Sequence, residues 1–256
     1  MALADRYHEL LELRIEGLRK YGARLTSEIY APPAFITMPT IGLRPPDMPF
    51  VKIGPMYFGD HPPVLRLVEG WVRRQSRNAP LSVLEFGPGK GTLAGYLLKR
   101  YGHSIRGYYG IDRDPHVTGP YRKISGPDAA PTSIDLVIAS EVIEHMPLDA
   151  FYDDVIVPAR EKLTPDGAII VGIPNALSPG AIFRDFSHMQ AYPWYDLYAI
   201  LRLAFSRVKI YRTHYVWSGK RLAWLLPRML LVKPLEQDWC DGLISIASEP
   251  LGKYRS

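Results

Sequence analysis

The feature that most constrains this chain is a glycine-rich turn that joins an apolar strand to a helix. Residues 81–86 (LSVLEF) form a short apolar run, and residues 92–101 have the pattern of a helix. Gly87, Gly89 and Gly91 lie between them. Glycines at alternate positions let the backbone approach a ligand closely, and the N–H groups of the next helix point at that ligand. The turn therefore predicts a small-molecule site at the end of this strand.

Beyond the turn, short apolar strands alternate with helices. We predict further strands at 105–112, 134–139, 168–173, 208–212 and 243–247, and further helices at 151–163 and 194–205. Strands separated by helices imply an α/β fold with a mainly parallel sheet and helices on both faces. In such a sheet the ligand lies at the carboxyl ends of the strands, where the glycine turn is.

The spacing of the glycines separates three kinds of nucleotide-binding turn. A dinucleotide fingerprint, GxGxxG, would need glycine at position 92, which is Thr92. A phosphate-binding loop needs Ser or Thr directly after Gly-Lys, and here Gly91 follows Lys90. Residues 85–91 (EFGPGKG) instead resemble motif I of the class I S-adenosylmethionine-dependent methyltransferases, acidic-x-Gly-x-Gly-x-Gly. A glycine turn that binds no ligand is the remaining alternative.

Later segments extend the resemblance to this family. Residues 135–146 (DLVIASEVIEHM) resemble its strand-4 motif, and LTPDG and IPN segments follow at the family's spacing. The second strand ends in Asp112, where an acidic side chain can accept both ribose hydroxyls. The resemblance covers residues 81–210, with 243–247 as the last strand. It implies a Rossmann-like, seven-stranded, mainly parallel sheet that binds S-adenosyl-L-methionine.

The resemblance also implies which residues bind the cofactor. One of them, Asp128, stands where the family places an acidic residue near the adenine amine. Only 15 residues separate it from Asp112, so the helix that usually joins the second and third strands must be short or absent. This departure puts the assignment of Asp128 in question. The full set is Glu85, Gly87, Gly89, Gly91, Asp112, Asp128 and Glu141.

Histidines near the strand ends are the candidate catalytic bases. His145 follows strand 4, and His188 lies in the loop after the strand at 168–173. Either residue could take a proton from a hydroxyl acceptor. His61 is a weaker candidate, for which a structural role is the simpler interpretation. A hydrogen-bonded structural histidine is the alternative at the other two positions as well.

A metal-assisted reaction is a second hypothesis. Glu141, Glu144 and His145 would share one face if their segment were helical. With His188 they could bind Mg²⁺ or Mn²⁺. The set resembles that of the small-RNA 3′-terminal 2′-O-methyltransferases and of the ubiquinone-pathway O-methyltransferases. Because many small-molecule members of the superfamily share this motif and use no metal, we do not favour a metal here.

The resemblance does not explain the N-terminal region, residues 1–75. We predict a helix at 4–25 and a lead-in helix at 64–75. Nine prolines between Pro32 and Pro63 exclude regular helix or central strand, and the apolar residues among them argue against disorder. We interpret that stretch as a proline-rich cap or lid.

The methyltransferase domain is then predicted to span 76–256, with a C-terminal insert at about 213–240. Residues 217–239 interleave apolar and basic side chains, which suits peripheral contact with a membrane or the wall of an apolar substrate pocket. A helix packed on the sheet edge or in a homodimer explains the pattern equally well.

Composition and charge limit the setting. With 47% hydrophobic and 22% charged residues, the chain is expected to be globular. The single cysteine, Cys240, excludes an internal disulfide and a multi-cysteine zinc site. We see no signal peptide and no membrane span, and expect a cytoplasmic protein, peripheral to a membrane if 217–239 binds one. From Ile200 onward the sequence has ten basic and four acidic residues. The basic residues form no tight run, which favours a solvent-exposed surface over a binding patch.

Together these patterns predict an S-adenosylmethionine-dependent O-methyltransferase. The acceptor is expected to be a hydroxyl of a small or lipophilic molecule, such as a natural product, a quinone, or a lipid- or sugar-linked compound. We favour this over a nucleic-acid acceptor. N- or C-methylation and metal-dependent RNA 2′-O-methylation are the enzymatic alternatives. A binding partner without turnover is the other alternative, against which the complete glycine motif and Asp112 argue.

Overall fold

The structure, a computed structural model, describes residues 6–21, 64–76, 79–176, 187–213 and 242–252. The predicted proline-rich cap with His61 and the predicted contact surface at 217–239 lie outside the described residues, so both stay predictions. The helices are α1 (Tyr7–Tyr21), α2 (Leu65–Gln75), α3 (Thr92–Tyr101), α4 (Leu148–Phe151), α5 (Val157–Lys162) and α6 (Trp194–Arg202). The strands are β1 (Leu81–Phe86), β2 (Ile105–Ile111), β3 (Arg122–Lys123), β4 (Ile134–Ser140), β5 (Leu163–Pro174), β6 (Phe205–Thr213) and β7 (Gly242–Pro250).

The strands form one seven-stranded sheet in the order β3-β2-β1-β4-β5-β7-β6. The first five strands in this order are parallel, and β7 runs antiparallel to both β5 and β6. The chain moves outward from β1 to β3 and then returns to place β4 on the other side of β1. This reversal is the switch point at which open α/β sheets bind ligands. The predicted fold class is confirmed.

Alternate residues of the central strands face two hydrophobic cores. Leu84 and Val137 belong to the core that also contains residues of α5 and α6. Val83 and Leu136 belong to the core that contains residues of α2 and α3. Burial on both faces explains why these strands are continuous apolar runs. Trp71 of α2 packs in the second core, so the lead-in helix and the sheet share a core. The predicted domain boundary at residue 75 falls between these two elements.

Helix α1 packs against α6 on the first face of the sheet. The guanidinium of Arg14 lies 2.6 Å from the carboxylate of Asp196, and the hydroxyl of Tyr198 donates to Oε1 of Glu16 at 2.9 Å. A Cβ on Gly17 would lie 2.5 Å from the Tyr198 ring, so a glycine permits the close approach of the two helices. None of the described helices is both long and apolar enough to cross a bilayer.

Two local predictions need correction. The strand expected at 168–173 begins earlier, at Leu163, and contains a bulge at residues 165–167, since Leu163 pairs with Ile134 and Ala168 with Leu136. The helix expected at 151–163 begins at Leu148 and contains a π-helical turn, Tyr152–Ile156, between α4 and α5. Pro158 gives the physical reason for the π turn. It has no N–H to donate to the carbonyl four residues earlier, and its ring would collide with that carbonyl in a regular helix.

Candidate functional site

A cavity of about 660 Å³ lies at the carboxyl ends of β1, β2 and β4. Its volume is in the range of small-molecule sites, about 300–1,000 Å³. Five predicted site residues are among its walls: Gly87, Asp112, Asp128, Glu141 and His145. Five others are not: Glu85, Gly89, Gly91, Glu144 and His188. The cavity therefore brings together predicted residues from three strand ends that are distant in sequence.

The glycine turn has a backbone that other residues rarely adopt. The φ angles of Gly87, Gly89 and Gly91 are 61°, 52° and 73°. A Cβ on Gly87 would also collide with a methyl group of Val142. Gly91 is the N-cap of α3 in the left-handed conformation, so the first N–H groups of that helix begin directly after the turn. Conformation therefore favours glycine at all three positions, and space also requires it at Gly87 and at Gly91, whose Cβ would meet Pro120.

Asp112 is bound to the glycine turn by its own side chain. Its Oδ2 accepts a hydrogen bond from the N–H of Gly89 at 3.0 Å, and its Oδ1 accepts one from the N–H of Asp114 at 3.0 Å. A carboxylate offers about four acceptor positions, so each oxygen keeps capacity for a ligand hydroxyl. The two backbone donors orient the carboxylate at the cavity wall.

Glu85 is buried below the turn, with 5% of its surface exposed. The hydroxyl of Tyr108 donates to its Oε2 at 2.6 Å. Burial raises the pKa of Glu85 to about 7, and the hydrogen bond from Tyr108 opposes that rise. The Glu85 carboxyl is thus bound to Tyr108 of β2 inside the sheet, in a position where its charge is costly.

The end of β4 corrects the premise of the predicted metal site. Glu141 has a φ of 55°, and only Ile143–His145 form a helical turn, of the 3₁₀ type. The expected helical face shared by Glu141, Glu144 and His145 is therefore wrong. A non-glycine residue at positive φ carries local strain, and such residues cluster at functional sites.

His145 and His188 lie next to each other. Their ring centroids are 4.9 Å apart. Nδ1 of His145 lies 3.1 Å from both the carbonyl oxygen and Oγ of Ser187. Nε2 lies 3.9 Å from Oε1 of Glu144. In the tautomer in which Nδ1 donates to the Ser187 carbonyl oxygen, the lone pair is on Nε2, on the side of Glu144.

Backbone hydrogen bonds explain how these distant segments meet. The carbonyl oxygen of Glu144 accepts N–H groups from Met189 at 2.8 Å and Gln190 at 3.1 Å. The donor atoms of Glu144, His145 and His188 all lie within 4.8 Å of one another. Glu144 is buried, and Glu141 is outside this group. One carboxylate and two imidazoles fit a divalent cation by donor type, with three of the four predicted ligands.

The sequence profile of a family described as "Methyltransferase domain" matches residues 63–228. The chain belongs to this family. A SAM-dependent methyltransferase from Archaeoglobus fulgidus has the same fold, at 19% identity and a TM-score of 0.53, over 72% of this chain and 93% of that one. A putative methyltransferase of Haloferax volcanii, solved with the Trm112 methyltransferase activator, aligns at 12% identity and a TM-score of 0.50, over 75% and 100% of the two chains. No curated protein sequence matches significantly.

The protein is thus a class I S-adenosyl-L-methionine-dependent methyltransferase, as the sequence predicts. The cavity of this methyltransferase fits that cofactor. Gly87 lines it at a positive φ that favours glycine, and Asp112 lines it with a carboxylate whose oxygens keep acceptor capacity. Asp128 lies in a 3₁₀ turn after β3 and also lines the cavity. Residues 112–121, all of which are described, contain no helix, as expected from the short spacing.

Two acidic residues that line the methyltransferase cavity are not among the residues predicted from the sequence. Asp153 and Asp154 come from the π turn and line the same cavity as Asp112. An α-helix was expected over these positions, and a regular helix would present a different set of side chains. Pro158, inside the expected helix, was the available signal, because a proline there disrupts regular hydrogen bonding.

Proposed function

We propose that this methyltransferase methylates a hydroxyl of a small or lipophilic acceptor, with His145 as the base. The observation that carries the proposal is the position of His145. It lines the same cavity as Gly87 and Asp112, and its basic Nε2 is oriented by the contacts of Nδ1 with Ser187. His188 is the second candidate base, because its ring lies beside that of His145.

The residues of the two sides of the cavity have different tasks. Gly87 and the start of α3 offer close backbone approach, and Asp112 accepts the ribose hydroxyls. The cofactor supplies a methyl group already activated on its sulfonium, so much of the rate comes from orientation and exclusion of water. His145 removes the hydroxyl proton of the acceptor at Nε2, which makes the oxygen a better nucleophile.

The test is release of S-adenosylhomocysteine in the presence of defined acceptor sets. Hydroquinones, catechols, sugars and hydroxylated lipids form one set, and primary amines of similar size form the other. We expect turnover with a member of the first set and loss of that turnover in His145→Gln. Turnover with amines alone would overturn the assignment to hydroxyl acceptors. Cofactor binding without turnover in any set would instead favour a binding role.

A metal-assisted version of the same reaction is the second candidate. It is favoured by the closeness of the donor atoms of Glu144, His145 and His188, which would hold the ion. A divalent ion there would lower the pKa of an acceptor hydroxyl and orient it. Chelator separates the two versions. Loss of turnover in chelator, restored by Mn²⁺ and absent in Glu144→Gln, would support the metal, whereas turnover unchanged by chelator would exclude it.

A further inference from the structure

We propose that Tyr121 is a positioning residue for cofactor binding, because it holds the glycine turn in its ligand-binding conformation. Its hydroxyl donates to the carbonyl oxygen of Gly89 at 2.8 Å, across 32 residues of sequence. The N–H of the same Gly89 donates to Asp112. The central glycine is thus bound through both its N–H and its carbonyl group. This role rests on the assignment of the turn to the cofactor.

Gly89 needs such contacts more than its two neighbours in the turn. A Cβ on Gly87 would meet Val142, and a Cβ on Gly91 would meet Pro120, so packing surrounds both of those positions. Apart from Gly89 itself and its two chain neighbours, no described residue has an atom within 4 Å of the place where a Cβ of Gly89 would be. Since packing does not restrain this side of Gly89, its hydrogen bonds carry more of the restraint on its positive φ.

The ring of Tyr121 packs against glycines from three different segments. A Cβ on Gly91 would lie 3.0 Å from Cδ1 of the ring, and a Cβ on Gly110 or Gly119 would collide with it. Gly110 lies in β2 and does not have a positive φ, so it is required for space and not for conformation. The bare backbone at these positions lets the ring reach the turn.

The loop that carries Tyr121 replaces the helix absent between β2 and β3. Nζ of Lys123 donates to the carbonyl oxygens of Asp114 at 2.6 Å and Val117 at 3.0 Å, which fastens this loop to β3. The side chain of Asp114 also accepts the N–H of His116 at 2.8 Å. The fastened loop presents Tyr121 to the turn without the support of a helix.

The first test removes only the hydroxyl. Tyr121→Phe is expected to weaken binding of S-adenosylhomocysteine in calorimetry by about fivefold, the equivalent of one neutral hydrogen bond. We expect KM for S-adenosylmethionine to rise by the same factor with kcat unchanged, which is the pattern of lost uniform binding. Tyr109→Phe is the matched control, because Tyr109 lies in β2, paired with Arg122 of β3, and its side chain lies beside Gly107 and Arg122 and not at the glycine turn. A merely structural role would lower the thermal midpoint and leave the affinity of the folded protein unchanged.

The second test concerns the ring. Gly110→Ala should push the ring away from the turn and weaken binding by about fivefold or more, as expected for overpacking. With Tyr121→Ala in the same chain, Gly110→Ala should cause a smaller further loss, because the ring is gone and only the contact with Cγ of Pro88, at 2.8 Å, remains. Additive losses in the double variant would contradict this account of Gly110.

Measuring the affinity of Asp112→Ala in the same experiment shows which idea is wrong if one of them fails. The two ideas are the role of Tyr121 and the assignment of the glycine turn to the cofactor. If Asp112→Ala loses affinity while Tyr121→Phe binds like the unchanged protein, Tyr121 has no positioning role and the cofactor site stands. If both variants bind normally, the glycine turn is not the cofactor site. Loss of affinity in both, with Tyr109→Phe unaffected, is the result that we expect.

Discussion

The two halves of the cavity are built in different ways. The half that we propose for the cofactor, called the cofactor half, is residues 85–91 with Asp112, and it is formed by backbone conformation and by contacts between neighbouring strands. The half that we propose for the acceptor, called the acceptor half, is residues 141–146, which are supported by hydrogen bonds to residues 187–190, about 42 residues later in the chain. A backbone at positive φ restricts the residue type to glycine and so leaves a mark in the sequence. A cluster of histidine and glutamate side chains leaves no such mark in the sequence, since these residue types serve in many other roles.

The largest effect is expected in the acceptor half. His145→Gln removes the basic nitrogen while keeping a side chain that can hydrogen-bond to Ser187. Because a general base contributes about 10²–10⁴-fold, we expect kcat to fall by ~10²-fold or more. The affinity for S-adenosylmethionine should stay unchanged, since the cofactor half is intact. Steady-state kinetics and calorimetry on the same preparation measure both quantities.

His103→Gln is the control for that variant, because His103 is exposed in the turn after α3 and does not line the cavity. It should leave kcat and affinity unaltered. A His145→Gln enzyme with full kcat would remove His145 as the base. If His145→Gln lost affinity for S-adenosylmethionine by the same factor as kcat, His145 would contribute to cofactor binding as well as to the acceptor half.

The next largest effect is expected in the cofactor half. In Gly87→Ala, a residue at φ 61° must adopt a conformation that costs an L-amino acid about 1–2 kcal/mol. The new methyl group also meets Val142. Since ~1.4 kcal/mol is a factor of ten, we expect the calorimetric affinity for S-adenosylmethionine to fall by about tenfold or more.

Two further variants divide the effect of Gly87→Ala into its causes. Gly102→Ala is the control, because Gly102 has a φ of −55° and no described atom within 4 Å of its Cβ position. Adding Val142→Ala to Gly87→Ala removes the collision, so part of the affinity should return while the cost of the conformation stays. Full recovery would show that space, and not φ, requires the glycine.

The same contrast explains how much the sequence could predict. Strand β1, the turn, α3 and Asp112 follow from local pattern, and the structure places them as expected. The shared face of Glu141, Glu144 and His145 was wrong because the positive φ of Glu141 breaks the helical spacing that the pattern assumes. Tyr121 was missed because its ring reaches Gly110 and Gly119 through tertiary packing. The two-residue strand β3 was missed because so short a run has no periodicity to detect.

Glu85 gives the cofactor half a pH dependence. Burial raises its pKa from 4.5 to about 7, so between these values the folded protein keeps a proton that the unfolded chain has lost. Its contribution to stability is therefore complete below pH 4.5 and is lost as the pH rises through 7. Through Glu85 alone, the free energy of unfolding changes by at most about 1.4 kcal/mol per pH unit, which is a tenfold change in the folding constant.

Glu85→Gln tests this dependence by urea unfolding at a series of pH values. The amide stays neutral and its oxygen can still accept the hydrogen bond from Tyr108. The difference in unfolding free energy between the two proteins should therefore change in favour of the variant as the pH rises through 7. Groups with raised pKa values elsewhere, such as Asp196, contribute equally to both proteins. A difference that is constant with pH would show that Glu85 is ionised throughout.

The smallest effect is expected where the acceptor half is supported by Ser187. Ser187→Ala removes the Oγ contact of His145 but keeps the carbonyl contact, each of which is 3.1 Å long. With one of two supports left, the imidazole should keep its orientation most of the time. We expect kcat to fall by only about two- to fivefold, the effect of losing one neutral hydrogen bond at most. Ser206→Ala is the control, because Ser206 is an exposed serine of β6 that also makes one side-chain hydrogen bond, to Glu249. A fall in kcat as large as that of His145→Gln would show that the Ser187 hydroxyl alone orients the imidazole. The catalytic activity of the acceptor half would then depend on this one side chain.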